Sequence, residues 1–175
     1  VIFASAEFTG EDAYRAKIKK PLEFVASAVR ALGGSVDAQG AFGLARAAAE
    51  IGEPLYGAQP PTGHADRAEA WVNAGALLAR MNFALVLASG RYPRVTVDLG
   101  ALVAGAAPRS PQTVLDRLLA ALVAGQVSPE TRAVLAAELT SPQITRLTPD
   151  DRGPAQTDVA KLAALVIGSP EFQRR

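Results

Sequence analysis

Two groups of polar side chains have residue types and spacings that could bind a ligand or a partner. The first group surrounds the start of a predicted helix and is mostly basic: Lys17, Lys19, Lys20, Glu23 and Arg30. Glu23, Ser27 and Arg30 recur at helical spacing and therefore share one face. Such a face is most often solvated, with an occasional ion pair that adds little stability. Contact with a ligand or partner is the alternative.

The second group combines an aromatic ring, two amides and a cation: Trp71, Asn73, Arg80 and Asn82. Arg80 lies one turn after Ala76 and one turn before Ala84, beside an apolar stripe. A buried guanidinium needs acceptors, because its desolvation is costly. We favour a clamp, in which Arg80 holds helix-end carbonyls and a carboxylate, over the alternative that it meets a ligand anion.

The single histidine, His64, forms with Asp66 the only His-x-acid pair of the sequence. A zinc or iron site normally needs three or four ligands, and neither a cysteine nor a second histidine can join this pair. We therefore predict no metal and no cofactor, and interpret His64 as a solvated loop residue. A Ser–His dyad assembled in space stays open, although capping already explains the notable serines.

The remaining catalytic patterns are weak. The glycine pairs lack the lysine and the strand–loop–helix setting of a phosphate-binding loop. Carboxylates that could form a catalytic pair are scattered along the chain: Glu7, Glu11, Asp12, Glu23, Glu69 and Asp98. We interpret most of them as surface charges.

Composition limits the class of protein. The 175 residues are 49% hydrophobic, with 18 basic and 17 acidic side chains and no cysteine. This size and hydrophobicity allow one domain with a core. The near-zero net charge argues against nucleic acid and anionic membranes as partners. The longest apolar runs are far shorter than the roughly 18 residues of a membrane helix, so we expect no membrane insertion.

The elements that must position these residues are predicted to be helices. Alanine and leucine dominate the apolar residues, and Ser/Thr-Pro pairs that favour helix starts recur at 110, 128, 141, 148 and 169. Apolar residues recur at helical spacing in several segments, including Leu77, Leu78, Met81 and Leu85 on one helix and a wide face around Leu118 on another. The sequence predicts one all-α domain over residues 1–175. It has five to seven helices, a Pro/Gly-rich loop at 53–66 and an irregular segment at 146–156.

Ordered short motifs carry a family resemblance. Lys17-Ile18-Lys19-Lys20-Pro21-Leu22-Glu23 is followed by Arg30-Ala31-Leu32-Gly33, then Gly52-Glu53-Pro54-Leu55-Tyr56, Trp71-Val72-Asn73, Leu77 to Ala84 and Ser169-Pro170-Glu171-Phe172. In this order, over essentially the whole chain, the sequence resembles the C-terminal part of the bacterial domain-of-unknown-function 1800 family. The resemblance implies a long, mostly helical, exported protein, periplasmic or extracellular and often carrying a twin-arginine-type signal.

The same resemblance implies where partners and active-site motifs should be sought. Family members are commonly encoded beside a sulfatase-like secreted family, and their His- and acid-rich motifs lie in an N-terminal part that precedes the region matched here. We therefore expect that part to be a partner, and this chain, which begins at Val1 without a signal peptide, to be a trimmed or partial one. Where the family tends to place tryptophan after the P-x-G turn, this sequence has His64.

Two functions are compatible with these observations. A scaffold or partner-contact domain should bury Arg80 and Trp71 in protein contacts and expose an apolar patch for the rest of the protein. Part of a hydrolase acting on an extracellular polymer should instead place Arg80, Lys19, Glu23 and Trp71 around a concave pocket. Nucleic-acid binding would need a clustered Lys/Arg face.

Overall fold

The protein is seen in a computed structural model that describes residues 2–10, 13–104, 110–140, 145–146 and 156–175. The α-helices of this part are α1 (Ala6–Thr9), α2 (Pro21–Ala31), α3 (Ala38–Ile51), α4 (Ala74–Ala88), α5 (Leu99–Leu102), α6 (Pro111–Val123), α7 (Pro129–Glu138), α8 (Val159–Gly168) and α9 (Pro170–Gln173). The six helices of ten or more residues agree with the predicted five to seven, and the all-α class is confirmed. The three others are single turns.

In the described part of the chain, each strand is only two residues long. β1 (Ser35–Val36) pairs antiparallel with β2 (Val95–Thr96), and β3 (Thr145–Arg146) pairs antiparallel with β4 (Gln156–Thr157). The β2 strand falls within Val95-Thr96-Val97, a segment whose β-branched residues favour a strand, and it is too short to found a larger sheet. The loop predicted at 53–66 contains no helix or strand. Most of the predicted irregular segment 146–156 lies outside the described residues.

Helix starts follow the predicted capping chemistry. The hydroxyls of Ser110, Ser128 and Ser169 accept hydrogen bonds from backbone N–H groups in the first turns of α6, α7 and α9. In each case proline follows the serine at the first helical position, where its missing N–H costs nothing. The signals at Ser141 and Thr148 fall outside the described residues.

One continuous core joins the longer helices. α4 packs mainly on α8, α6 also packs on α8, and α3 connects α2 with α4. The wide α6 face is buried as predicted: Val114, Leu115, Leu118, Leu119, Leu122 and Val123. Burial of this face explains why α6 is stable, because its leucines each remove a large apolar surface from water.

The apolar stripe predicted for α4 faces solvent, and a different face of the helix is buried in the core. Leu77, Leu78, Met81 and Leu85 are all exposed, with Leu78 retaining 61% of its accessible surface. The helix instead buries Ala76, Arg80, Phe83, Ala84, Leu87 and Ala88. The buried face therefore combines three alanines with the large side chains of Arg80, Phe83 and Leu87.

Among the residues that the structure describes, no helix is long and apolar enough to span a bilayer.

Candidate functional site

Arg80 lies at the centre of the predicted second group and is completely buried. Its Nη2 donates a hydrogen bond of 2.7 Å to the carbonyl oxygen of Lys19, and its Nη1 donates one of 3.4 Å to Oε1 of Gln173. The guanidinium carbon lies 5.0 Å from the centroid of the Phe24 ring. Arg80 therefore ties α4 to the segment before α2 and to the C-terminal helix α9.

The contacts of Arg80 differ from the predicted clamp in one respect. None of the described carboxylates lies within ion-pairing distance of it; the second acceptor is the amide of Gln173. Burial lowers the pKa of Arg80, and the charge of Glu53 opposes that shift. The Nε atom is buried without a hydrogen-bond partner. The group is therefore stabilised chiefly by a carbonyl, an amide and an aromatic face.

The basic segment 17–19 pairs with the last residues of the chain, which the sequence did not indicate. Lys17 N–H donates to the Arg175 carbonyl (3.2 Å), Arg175 N–H donates to the Lys17 carbonyl (2.8 Å), and Lys19 N–H donates to the Gln173 carbonyl (2.8 Å). We call this antiparallel pairing the terminal ladder. It places two arginines, at 174 and 175, beside three lysines.

Lys19 is the most perturbed amine of the ladder. Its Nζ lies 3.9 Å from the centroid of the Phe172 ring, a cation–π arrangement. Burial, together with the nearby charges of Arg15 and Arg80, lowers the pKa of Lys19 to about 8, against the opposing effect of Glu23. Part of the amine population is therefore neutral at mildly alkaline pH.

Asp66 anchors the irregular loop to the ladder. Its carboxylate lies 3.4 Å from Lys17 Nζ and 3.0 Å from Lys20 Nζ, and hydrogen bonds from these two amines lower the pKa of Asp66. Nearby, Trp71 is buried and its Nε1 donates to the Ala65 carbonyl at 3.1 Å. His64 Nε2 lies 3.1 Å from the Pro54 carbonyl oxygen, and its ring meets the Trp71 ring edge to face. His64 is thus half-buried and not the solvated residue predicted.

A small cavity of about 110 Å³ opens between the ladder and this loop. We call it the basic pocket because its charged lining consists of Lys17, Lys20, Arg67, Arg175 and Asp66. The indole of Trp71 and the backbone around Ala68 contribute the rest of its wall. Overall charge balance concealed this local excess of positive charge.

The exposed face of α4 borders two apolar grooves. We call Leu77, Leu78, Met81 and Leu85 the α4 apolar face. The first groove, of about 300 Å³, lies between α4 and α8 and is lined by Leu78, Met81 and Leu85. The second, of about 330 Å³, lies at the start of α4 and is lined by Ile18, Leu77 and Met81. Met81 therefore borders both grooves.

The other predicted site residues lie apart from each other. Glu23 accepts from the Lys20 N–H at 2.9 Å and pairs with Arg175 at 3.0 Å. Asn73 caps α4 by accepting from Ala76 N–H at 2.9 Å, while Asn82 and Arg30 are exposed. Contact of any of these residues with a ligand or partner stays a prediction. The described residues contain no group of three His, Asp or Glu side chains placed to hold a metal ion.

These features define a helical protein with an internal arginine clamp, an exposed apolar helix face and a basic pocket. The chain belongs to the family described as Protein of unknown function (DUF1800), whose family model matches residues 1–174. The resemblance inferred from the ordered motifs is thereby confirmed. Comparison with curated proteins and with solved structures gave no match.

Proposed function

We propose that this chain is a scaffold or partner-contact domain of an exported bacterial protein, and that its partner docks on the α4 apolar face. The observation that carries the proposal is the exposure of four large apolar side chains on one helix face. Single exposed leucines are common on protein surfaces, whereas contiguous apolar patches flanked by grooves are typical of interaction sites.

The burial of Arg80 and Trp71 supports the same proposal. Both side chains donate hydrogen bonds to protein acceptors. Arg80 donates to the Lys19 carbonyl and the Gln173 amide oxygen, and Trp71 donates to the Ala65 carbonyl. A residue used in this way holds elements together and is not available to a polymer substrate. The hydrolase alternative, which placed these side chains in a cleft with Lys19 and Glu23, is therefore less well supported.

The partner that we propose is the N-terminal part that the family resemblance implies, which would cover the apolar face within one protein. A sulfatase-like secreted protein encoded nearby is the second partner that the resemblance suggests. Docking on α4 would bury the side chains of Leu78 and Met81, and each buried large apolar side chain contributes about 1.5–3 kcal/mol.

The test is association between this chain and the separately produced N-terminal part, measured by solution mass and calorimetry. We expect the double substitution Leu78→Asp and Met81→Asp to weaken association at least tenfold, about 1.4 kcal/mol, while the free chain melts as the wild type does. Val134→Asp is the matched control, because Val134 is an exposed apolar residue on α7 with 64% of its surface accessible.

Three outcomes would contradict the proposal. Wild-type parts that fail to associate would leave the face without the proposed partner. Equal losses in the double variant and the Val134 control would remove α4 from the interface. Self-association of this chain that the double substitution abolishes would assign the face to a second copy.

A further inference from the structure

The basic pocket gathers positive charge that the composition of the chain does not reveal. The whole chain has a net charge of +1. The pocket, in contrast, is lined by four cations, Lys17, Lys20, Arg67 and Arg175, and by one carboxylate, that of Asp66. The terminal ladder causes this concentration, because it sets Arg175 directly opposite Lys17.

The cations of the pocket are only partly neutralised. Lys17 and Lys20 share the single carboxylate of Asp66, and Arg175 uses its Nε on Glu23. Arg67 forms no ion pair or side-chain hydrogen bond with any residue in the described part of the chain. Among side chains, even when Glu23 is counted with the pocket, four cations face two carboxylates, which leaves an excess of two positive side-chain charges.

Asp66 indicates what chemistry the pocket accepts. Its two oxygens lie 3.0 Å from Lys20 Nζ and 3.4 Å from Lys17 Nζ, so an oxyanion already occupies the approach to both amines. The Asp66 side chain is 61% exposed, and exposed ion pairs contribute little stability. An external oxyanion can therefore share or take over these contacts at small cost.

We propose that the basic pocket binds a phosphate group, held by Arg67, Arg175 and the two lysines that Asp66 engages in the free protein. A guanidinium presents paired N–H donors that match phosphate oxygens, and lysines add point charges. The cavity of about 110 Å³ suits one such group, since sites for drug-sized ligands measure about 300–1,000 Å³. The group could be free phosphate or the end of a phosphate monoester.

The shape of the pocket favours a single group over a polyanion. Trp71 and the backbone around Ala68 close it on one side. A protein that follows a nucleic-acid backbone instead uses an extended basic groove with exposed aromatic rings on which bases stack, and Trp71 is buried. Nucleic acid is therefore an outcome to be tested and not the ligand that we propose.

The test is a titration of the 175-residue chain with inorganic phosphate at an ionic strength of about 0.1 M, followed by amide chemical shifts around residues 16–20, 66–71 and 175. Arg67→Ala should weaken binding about tenfold, because it removes charge-assisted hydrogen bonds. Asp66→Asn should strengthen binding about fivefold, because it removes a competing negative charge a few ångströms away. Because Arg67 is exposed and forms no ion pair or side-chain hydrogen bond within the described residues, the Arg67→Ala chain should melt as the wild type does.

The matched control is Arg30→Ala, which removes the same charge from an exposed position. Arg30 lies ten residues along α2 from Lys20, a separation of about 15 Å and beyond the Debye length of about 10 Å at 0.1 M salt. The affinity of the Arg30→Ala variant for phosphate should equal that of the wild type. Equal affinities for wild type, Arg67→Ala and Asp66→Asn would overturn the proposal, as would chloride competing as well as phosphate.

Two further titrations identify the source of the group. Glycerol 3-phosphate that binds at least as tightly, with the same dependence on Arg67, would show that the pocket takes an esterified phosphate. Binding of inorganic phosphate alone would show a site for the free ion. A short oligonucleotide that binds far more tightly than either, and loses affinity equally in Arg67→Ala and Arg30→Ala, would assign the charges to a general basic surface and overturn the proposal.

Discussion

At the scale of the residue, Arg80 is the most informative side chain of the protein. Its guanidinium lies over the Phe24 ring, while its donors bind the carbonyl of Lys19 and the amide of Gln173, which are 154 residues apart in the chain. A single buried cation therefore couples three segments that are distant in sequence. Its presence in an apolar helix follows from these acceptors, because without them its burial would be prohibitive.

Truncating Arg80 should cause a large loss of stability. We expect Arg80→Ala to lower the free energy of unfolding by about 3 kcal/mol or more, since it creates a cavity and leaves two acceptors unpaired. Arg80→Met keeps most of the volume and should cost less. Urea denaturation measures both, with the exposed Arg117→Ala as a control that should stay within about 0.5 kcal/mol of wild type. A loss under 1 kcal/mol in Arg80→Ala would contradict the clamp.

Lys19 should make the free energy of unfolding depend on pH in the alkaline range. Its pKa falls from 10.5 to about 8 on folding, so between these values the unfolded chain binds a proton that the folded chain has released. Stability should therefore rise as pH increases from about 8 to 10.5, and the penalty of burying the charged amine should be fully present below pH 8. Lys19→Met removes this contribution.

The measurement is the urea midpoint of wild type and Lys19→Met at intervals between pH 7 and 10. The difference between the two proteins isolates Lys19 from other titrating groups. The wild type should gain on the variant as pH rises. Parallel curves would show that the amine keeps its ordinary pKa in the folded protein.

At the scale of the element, α4 shows where sequence patterns become ambiguous. Helix α6 has one apolar face and one polar face, and its buried residues agree with the pattern. α4 is apolar almost all round, so the large side chains of Leu77, Met81 and Leu85 suggested the buried face. The other face, which carries Phe83 and Leu87 among alanines, is the one that is buried. Which face of an all-round apolar helix is buried depends on the neighbouring elements and not on periodicity.

The terminal ladder and the basic pocket were hidden from the sequence for a different reason. The lysine-rich segment was recognised, but its pairing with Arg175 is a contact across nearly the whole chain. Hydrogen bonds between backbone groups leave no signature in side-chain types. Capping, in contrast, depends on residues within one turn of each other, which is why Ser110, Ser128 and Ser169 could be assigned from spacing alone.

The α6 face provides a prediction for packing. Leu118 is completely buried within the core, so Leu118→Ala should lower the free energy of unfolding by about 2–5 kcal/mol. The adjacent Arg117 is exposed on the same helix and serves as the control for helix propensity. A thermal melt of Leu118→Ala that equals the wild-type melt would refute the central place of α6.

At the scale of the whole molecule, one hydrophobic core runs from α2 to α9, and the described chain ends close to where its basic segment begins. The core is held by many side chains at once, whereas the terminal ladder is held by three backbone hydrogen bonds, the contacts of Arg80, the Arg175–Glu23 ion pair and the contact of Lys19 with the Phe172 ring. The two parts should therefore differ in how they open.

That difference has a mechanical consequence. Lys17 and Arg175 face each other across the ladder, so tension applied between them peels the hydrogen bonds apart one after another, and each bond carries the whole load in turn. Because the chain has no cysteine, thiol handles can be placed uniquely at Ala16 and Arg175. A single-molecule trace should show a short extension at low force before the helical core yields, whereas handles at Arg46 and Arg117 should give only the later event. If ladder and core gave way together, the molecule would be a single mechanical unit from one end to the other.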